Sequence, residues 1–315
     1  MGMTRRVLHI LDPEPHGHIG GADLHVVDLA LEQMRRNRYE PTVLLLTEAP
    51  MLIERLNGSG VEVIAAHKMG RRYSELPFKL RPTLERIAPD LLHSHGYDAN
   101  YFACWARMTL RRSWGQRPLL FTSHGWVYRP ALLIKTTLDF LTHRFADHII
   151  ICSPHQRQRA QWAAGHSAVT FVSNGVPSKR ALTFERNEAN ARFGFPQNTR
   201  LVAFVGRLSP EKQVNIFVEI AREVGRRFED VHFVIAGGGP LGRQIRGQIT
   251  QPDLAGHITM TGVVPDVDSI YSNIDVLVVP SAMETTSRVT IEAMMWGVPV
   301  VASDVGGLPE LISSG

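Results

Sequence analysis

The sequence predicts an α/β protein of two doubly wound domains, and three observations predict it. Runs rich in Val, Ile and Leu alternate with amphipathic stretches along the chain, the mark of βαβ units. The runs are almost continuously apolar, as strands of a parallel sheet covered on both faces are. A length of 315 residues suits two domains of roughly 150 residues each, and a polar, irregular interval falls between them.

In chain order, Val7–Leu11, Thr42–Leu46, Val61–Ala65, Leu91–His93, Leu119–Thr122, His148–Cys152 and Val169–Val172 read as strands, with helical patterns in the gaps. They place a first domain over residues 1–175. From 176 to 200 the chain turns polar, with Pro177, Pro196 and at most one short helix over 187–193, which reads as a linker. Strand-like runs resume at Leu201–Val205, His232–Ala236, Ile258–Thr261, Val276–Val279 and Val298–Ala302, giving a second domain over 201–315. Right-handed crossovers make both sheets doubly wound, and the two are expected to face one another across a cleft at the carboxyl ends of their strands.

Hydrophobic residues at 44% and charged residues at 20% exclude a disordered or fibrous chain. The most apolar segment, residues 131–141, is broken by Lys135 and Asp139, so no membrane span is predicted. The first apolar run is too short for a signal peptide, and a cytoplasmic protein is expected. Cys104 and Cys152 lie in apolar stretches and read as buried thiols. Up to residue 170 there are 21 Lys and Arg against 15 Asp and Glu, and beyond it 13 against 15. The basic surplus therefore belongs to the first domain, which suggests an anionic partner. Arg71, Arg72, Lys79 and Arg81, beside Tyr73, Leu76, Phe78 and Leu80, form the expected patch for peripheral contact with an anionic membrane at its inner face, the alternative being an ordinary solvated helix. No aromatic platform interleaves the basic residues, so nucleic acid is not expected as a partner.

After the first strand, a loop with His16 and His18 ends in Gly20-Gly21 and enters a helix. Such a turn lets backbone approach an anion at a helix N-terminus, although a plain tight turn reads equally well. His93 and His95 point the same way from one strand. A metal pair is possible there, but further ligands at later strand ends do not follow in order, and no metal is expected. His124, at the end of the fifth strand, is placed to meet a phosphate or a sugar hydroxyl, or to serve structurally.

In the second domain, Val205-Gly206-Arg207 leads to Lys212, a guanidinium and an ammonium able to clamp a diphosphate. Gly237-Gly238-Gly239-Pro240 permits close approach of a ligand or a second backbone. Strongest is the stretch from Pro280 to Met294, in which Glu284 and Glu292 straddle a helix N-terminus at Thr286, Ser287, Arg288 and Val289. Its N–H groups suit phosphate oxygens, and the carboxylates suit sugar and ribose hydroxyls.

Taken in order, Gly206-Arg207-Leu208 with Glu211-Lys212, Gly237-x-Gly239-Pro240, the Glu284 and Glu292 pair, Gly297-x-Pro299-Val300-Val301 and Gly306-Gly307-x-Pro309-Glu310 resemble the nucleotide-sugar glycosyltransferases of the GT-B fold, and within them the retaining family 4. The resemblance implies two Rossmann-like domains, the first on the acceptor side and the second holding the donor. It implies that Arg207 and Lys212 hold the donor diphosphate, Glu284 meets the transferred sugar and Glu292 the ribose. It further implies that His124 touches the sugar or its phosphate, that Gly20 and Gly21 cover the diphosphate, and that Gly238 and the backbone at Gly262 and Val263 line the donor and its base. Gln213 stands where the family has glycine, and Thr286-Ser287 where it has an aromatic-glycine pair.

The activity implied is metal-independent hexosyl transfer, with retention, from a nucleoside-diphosphate sugar to a carbohydrate, lipid-linked or small-molecule acceptor, without cofactor. A sugar-nucleotide epimerase and a non-catalytic nucleotide-sugar binder are the alternatives, separated from it by acceptor-dependent donor consumption. Family members usually continue beyond the equivalent of Gly315, so the second domain is expected to be incomplete.

Overall fold

A computed structural model describes residues 4–13, 19–66, 75–110, 117–125, 141–165, 167–177 and 192–313. The sequence features at His16, His18, Arg71, Arg72 and Tyr73, and most of the helix expected over 187–193, lie outside them. The chain divides into two compact units, Met1–Gly175 and Val176–Gly315.

In the N-terminal unit the elements run β1 (Arg5–Leu11), α1 (Gly21–Arg35), β2 (Tyr39–Leu45), α2 (Pro50–Leu56), β3 (Glu62–Ala65), α3 (Leu76–Ile87), β4 (Leu91–His95), α4 (Tyr97–Thr109), β5 (Leu119–Ser123), β6 (His148–Ile151), α5 (Arg157–Ala164) and β7 (Ala168–Phe171). The strands form one sheet in the order β3-β2-β1-β4-β5-β6-β7, with parallel pairing throughout.

Alternation along β1 assigns its two faces. Leu8 and Ile10 join Leu80, Leu84 and Phe102 of α3 and α4 in one buried cluster. Leu11 joins Val26, Val27 and Ala30 of α1 and Leu52 and Leu56 of α2 in another. His9 shares the parity of Leu11 and faces α1.

The expected membrane patch changes on α3. Leu80 is fully buried in the core, while Lys79 pairs with Glu75 at 2.9 Å and Arg81 with Glu85 at 2.8 Å. Of the apolar members whose side chains are described, only Phe78 is exposed. Helical spacing turned Leu80 inward and gave both cations acidic neighbours one turn away. No helix among the described residues is long and apolar enough to cross a membrane.

The C-terminal unit runs β8 (Arg200–Val205), α6 (Val214–Gly225), β9 (Val231–Ala236), α7 (Gly242–Ile249), β10 (Ile258–Gly262), α8 (Asp268–Tyr271), β11 (Val276–Val279), α9 (Arg288–Met295), β12 (Val300–Ala302) and α10 (Leu308–Leu311). Its parallel sheet has the order β10-β9-β8-β11-β12. Helix α6 buries Val214, Phe217, Val218 and Ala221, the i, i+3, i+4, i+7 stripe of a helix laid on a sheet. The last strand begins later than the sequence suggests, at Val300. Pro299 contributes only its carbonyl, to Leu277 N–H at 2.9 Å, because it has no N–H of its own for the ladder.

Candidate functional site

In the C-terminal sheet the strand order reverses between β8 and β11. In an open α/β sheet such a reversal leaves a crevice at the carboxyl ends of the two strands. The chain leaving β8 carries Arg207 and Lys212, and the chain leaving β11 carries Glu284, Arg288 and Glu292, so the predicted cations and carboxylates gather at that one point.

Backbone contact builds the floor. Leu208 N–H donates to the Gly238 carbonyl at 2.8 Å, and Gly237 N–H to the Gly262 carbonyl at 2.8 Å. A Cβ on Gly237 would stand 1.8 Å from the Gly206 oxygen, and one on Gly239 2.6 Å from the Leu208 oxygen. At Gly237 and Gly239 it is a second backbone that comes this close. The loops after β8 and β11 are joined by Ala282 N–H donating to the Glu211 carbonyl at 2.9 Å.

Side chains form two clusters beside this floor. Lys212 Nζ donates to Glu284 Oε1 at 2.5 Å, and Ser281 Oγ to the same oxygen at 3.0 Å. The Glu284 side chain is only 7% exposed. On α9, Arg288 Nε donates to Glu292 Oε1 at 2.6 Å, and the buried Tyr271 hydroxyl to Glu292 Oε2 at 3.0 Å. Burial, and then the neighbouring Glu292 carboxylate, push the Tyr271 phenol well above its usual pKa, so it stays a donor.

Around the start of α9, Ser287 is buried at the N-cap and Thr290 lies in the first turn. Neither hydroxyl has a hydrogen-bond partner among the described residues. Val289 and Thr286 are partly buried beside them, and Val263, after the left-handed Gly262, is exposed. Met294 and Met295 are also exposed, so the apolar run of α9 is not wholly in the core. It is Arg288 and Tyr271 that hold Glu292.

The N-terminal unit places its predicted residues differently. Gly20 precedes α1, and its N–H donates to Asp23 Oδ2 at 2.8 Å, so a carboxylate already sits at this helix start. Gly21 is the first residue of the helix. His124 directs Nε2 to His95 Nδ1 at 3.2 Å and Nδ1 to Cys152 Sγ at 3.8 Å. Burial lowers its pKa to about 3, with His25 adding to the shift, and burial raises the Cys152 thiol to about 12. Both groups are therefore neutral near pH 7.

Sequence reasoning missed four partners. Tyr271 and Ser281 carried no local signal. Thr290 was one polar residue within an apolar helix. His9 lies 84 residues from His93, yet strand register sets the two directly opposite each other.

The family model described as Glycosyltransferase Family 4 matches residues 19–180, and that described as Glycosyl transferases group 1 matches 185–315. A D-inositol 3-phosphate glycosyltransferase of Mycolicibacterium vanbaalenii is 32% identical over 188 residues, covering 54% of this chain and 41% of the relative. A 2-deoxystreptamine glucosyltransferase of Streptomyces kanamyceticus is 29% identical over 202 residues, covering 62% and 49%. These alignments span about half or less of the relatives' length. Among solved structures, Anabaena HepE in complex with UDP-glucose is similar with a TM-score of 0.79 at 22% identity, over 98% of this chain and 83% of that one. At that identity the likeness is one of fold.

Proposed function

Since the chain belongs to glycosyltransferase family 4 and has the paired parallel α/β units of the GT-B fold, we propose that it transfers a hexosyl group, with retention, from a nucleoside-diphosphate sugar to a carbohydrate, lipid-linked or small-molecule acceptor. The observation that carries this reading is the convergence of Lys212 with Glu284 and of Arg288 with Glu292 at the reversal point of one sheet.

In this reading Arg207 and Lys212 meet the diphosphate. The barrier to breaking the bond from the anomeric carbon to the diphosphate oxygen falls as fixed cations and the N–H groups opening α9 take up the growing charge. The Ser287 and Thr290 hydroxyls add two donors that have no hydrogen-bond partner among the described residues. Glu284 accepts from the sugar hydroxyls and Glu292 from the ribose. Each carboxylate is already held by a cation and a hydroxyl, which fixes its direction before the donor arrives. Backbone at Gly238, Gly262 and Val263 lines the donor and its base.

Gly20, Gly21 and His124 are the contacts assigned to the N-terminal unit, and His124 would have to release His95 or Cys152 to serve. The charge on the departing diphosphate needs no divalent ion at this site. Retention follows if that diphosphate oxygen takes the acceptor's proton on the face it leaves.

Two relatives are named for inositol phosphate and deoxystreptamine transfer, which makes a hydroxylated ring the first acceptor to try. A phosphorylated one suits the basic surplus of the first 170 residues.

The test is a panel of nucleotide sugars read by thermal shift in excess EDTA, followed by donor consumption with and without acceptor. One donor should raise the melting temperature and be consumed in proportion to acceptor. No shift with any nucleotide sugar, or consumption indifferent to acceptor, would refute the reading.

A further inference from the structure

We propose that His9, His93 and His95 form a binding site for a divalent transition metal of the zinc class within the N-terminal unit. The site follows from strand geometry. His9 and His93 are register partners on β1 and β4, and His95 is two residues further along the same face. All three rings are buried. One ring nitrogen from each lies within 4.8 Å of the others.

The closest pair, His9 Nδ1 and His95 Nε2, is 3.0 Å apart. Two nitrogens bound tetrahedrally to one cation at 2.0–2.1 Å would stand about 3.3 Å apart, so a small outward shift admits a metal where a proton is now shared. His93 contributes no bond to that sharing. Its one hydrogen bond among the described residues goes to Thr122 Oγ1, at 2.7 Å through Nε2, which leaves the second nitrogen for the cluster.

The outer partners have the arrangement of a metal centre. Each ligand imidazole is oriented from behind: His9 Nε2 by Gln33 Oε1 at 2.8 Å, His93 by Thr122, and His95 Nδ1 by His124 at 3.2 Å. Bonds of this kind fix the tautomer and leave the opposite nitrogen's lone pair for the ion. A plain hydrogen-bonded chain explains the contacts of His9, His95 and His124, but not why a third imidazole, His93, packs against His95 at 4.0 Å between ring centroids with the ring planes tilted by 35°.

Donor chemistry selects the metal. Three imidazoles without a carboxylate suit Zn, Co, Ni or Cu and not Mg or Ca. A cavity of about 460 Å³, lined by His25, His93, Thr122 and Cys152 among others, reaches the cluster at His93.

The full-length chain, stripped with chelator and desalted, is titrated with Co(II). One equivalent should develop the strong visible absorption of a tetrahedral site, and Zn(II) should bleach it. His9→Gln and the pair His93→Gln with His95→Gln should abolish the band, while His148→Gln, on β6, should keep it. Because buried substitutions can prevent folding, the unmutated chain gives an independent reading. Zn(II) should raise its melting temperature at concentrations where Mg(II) and Ca(II) do not. Absence of a stoichiometric band, its survival in folded His9 or His93/His95 variants, or equal melting shifts with Mg(II) and Zn(II) would overturn the proposal.

Discussion

Lys212 Nζ lies 2.5 Å from Glu284 Oε1 although 72 residues separate them. The pair joins the loop after β8 to the loop after β11. Because Glu284 is nearly buried, removing the lysine would strand a carboxylate, and removing the carboxylate would release the lysine. Glu284→Gln keeps the shape and a hydrogen-bond acceptor, and is the cleaner probe. Turnover should fall roughly 10²–10³-fold, the scale for losing one preorganised electrostatic contact, with folding retained by circular dichroism. Turnover near that of the unmodified chain would remove Glu284 from the donor site.

Ser287→Ala and Thr290→Val are expected to weaken donor binding without lowering the melting temperature. Both hydroxyls are buried and lack partners among the described residues, so their removal breaks no internal bond. If they bond the diphosphate, each loss should cost about 1 kcal/mol or somewhat more, a five- to tenfold rise in dissociation constant by calorimetry. Unchanged affinity in both variants would return these groups to a structural role.

Tyr271→Phe tests how Glu292 is held. The variant retains the ring and the Arg288 contact but loses the hydroxyl that reaches Glu292 Oε2. Affinity for the donor should drop several-fold while Arg207→Ala and Glu292→Ala abolish binding. Equal effects from all three would mean that Tyr271 supports the unit as a whole rather than one carboxylate.

The architecture was legible in the sequence because each parallel strand is an apolar run, and the motif residues after β8 and β11 stand at strand ends, where loops leave the sheet. Partnerships made across the fold were not legible. Tyr271 meets Glu292, and His9 meets His95, through packing and register, and no spacing along the chain encodes either. The expected membrane patch lost Leu80 for a related reason. A row of basic and apolar residues does not say which side a helix buries, and Leu80 went inward. Gln213 was noted as a departure from glycine, and its φ of 49° shows why glycine suits that position.

Two substitutions probe these backbone requirements in opposite directions. Gly306 has φ of 56°, and an added Cβ would lie 1.7 Å from the Glu284 oxygen. Gly306→Ala should cost about 1–3 kcal/mol through strain and disturb the donor site with it. Gln213→Gly relieves a left-handed side chain, a gain of roughly 1 kcal/mol partly offset by unfolded-state entropy. Urea denaturation should order the three proteins Gln213→Gly, unmodified chain, Gly306→Ala. An alanine variant as stable as the unmodified chain would show that the Gly306 turn adapts.

Acid should destabilise the C-terminal unit through His232. Burial, with a smaller contribution from His257, lowers its pKa from 6.5 to about 4, while Nε2 bonds Thr259 Oγ1 at 2.8 Å. Between about pH 6.5 and 4 the unfolded chain binds a proton that the folded chain refuses, so stability falls as the pH is lowered through that window and is fully present above it. His232→Gln removes the titration and can keep a hydrogen bond to Thr259. Denaturation midpoints measured from pH 7 to 4 should therefore converge: the unmodified chain loses stability faster than the variant, by at most one proton's worth of slope. Parallel profiles would show that His232 binds its proton equally in both states.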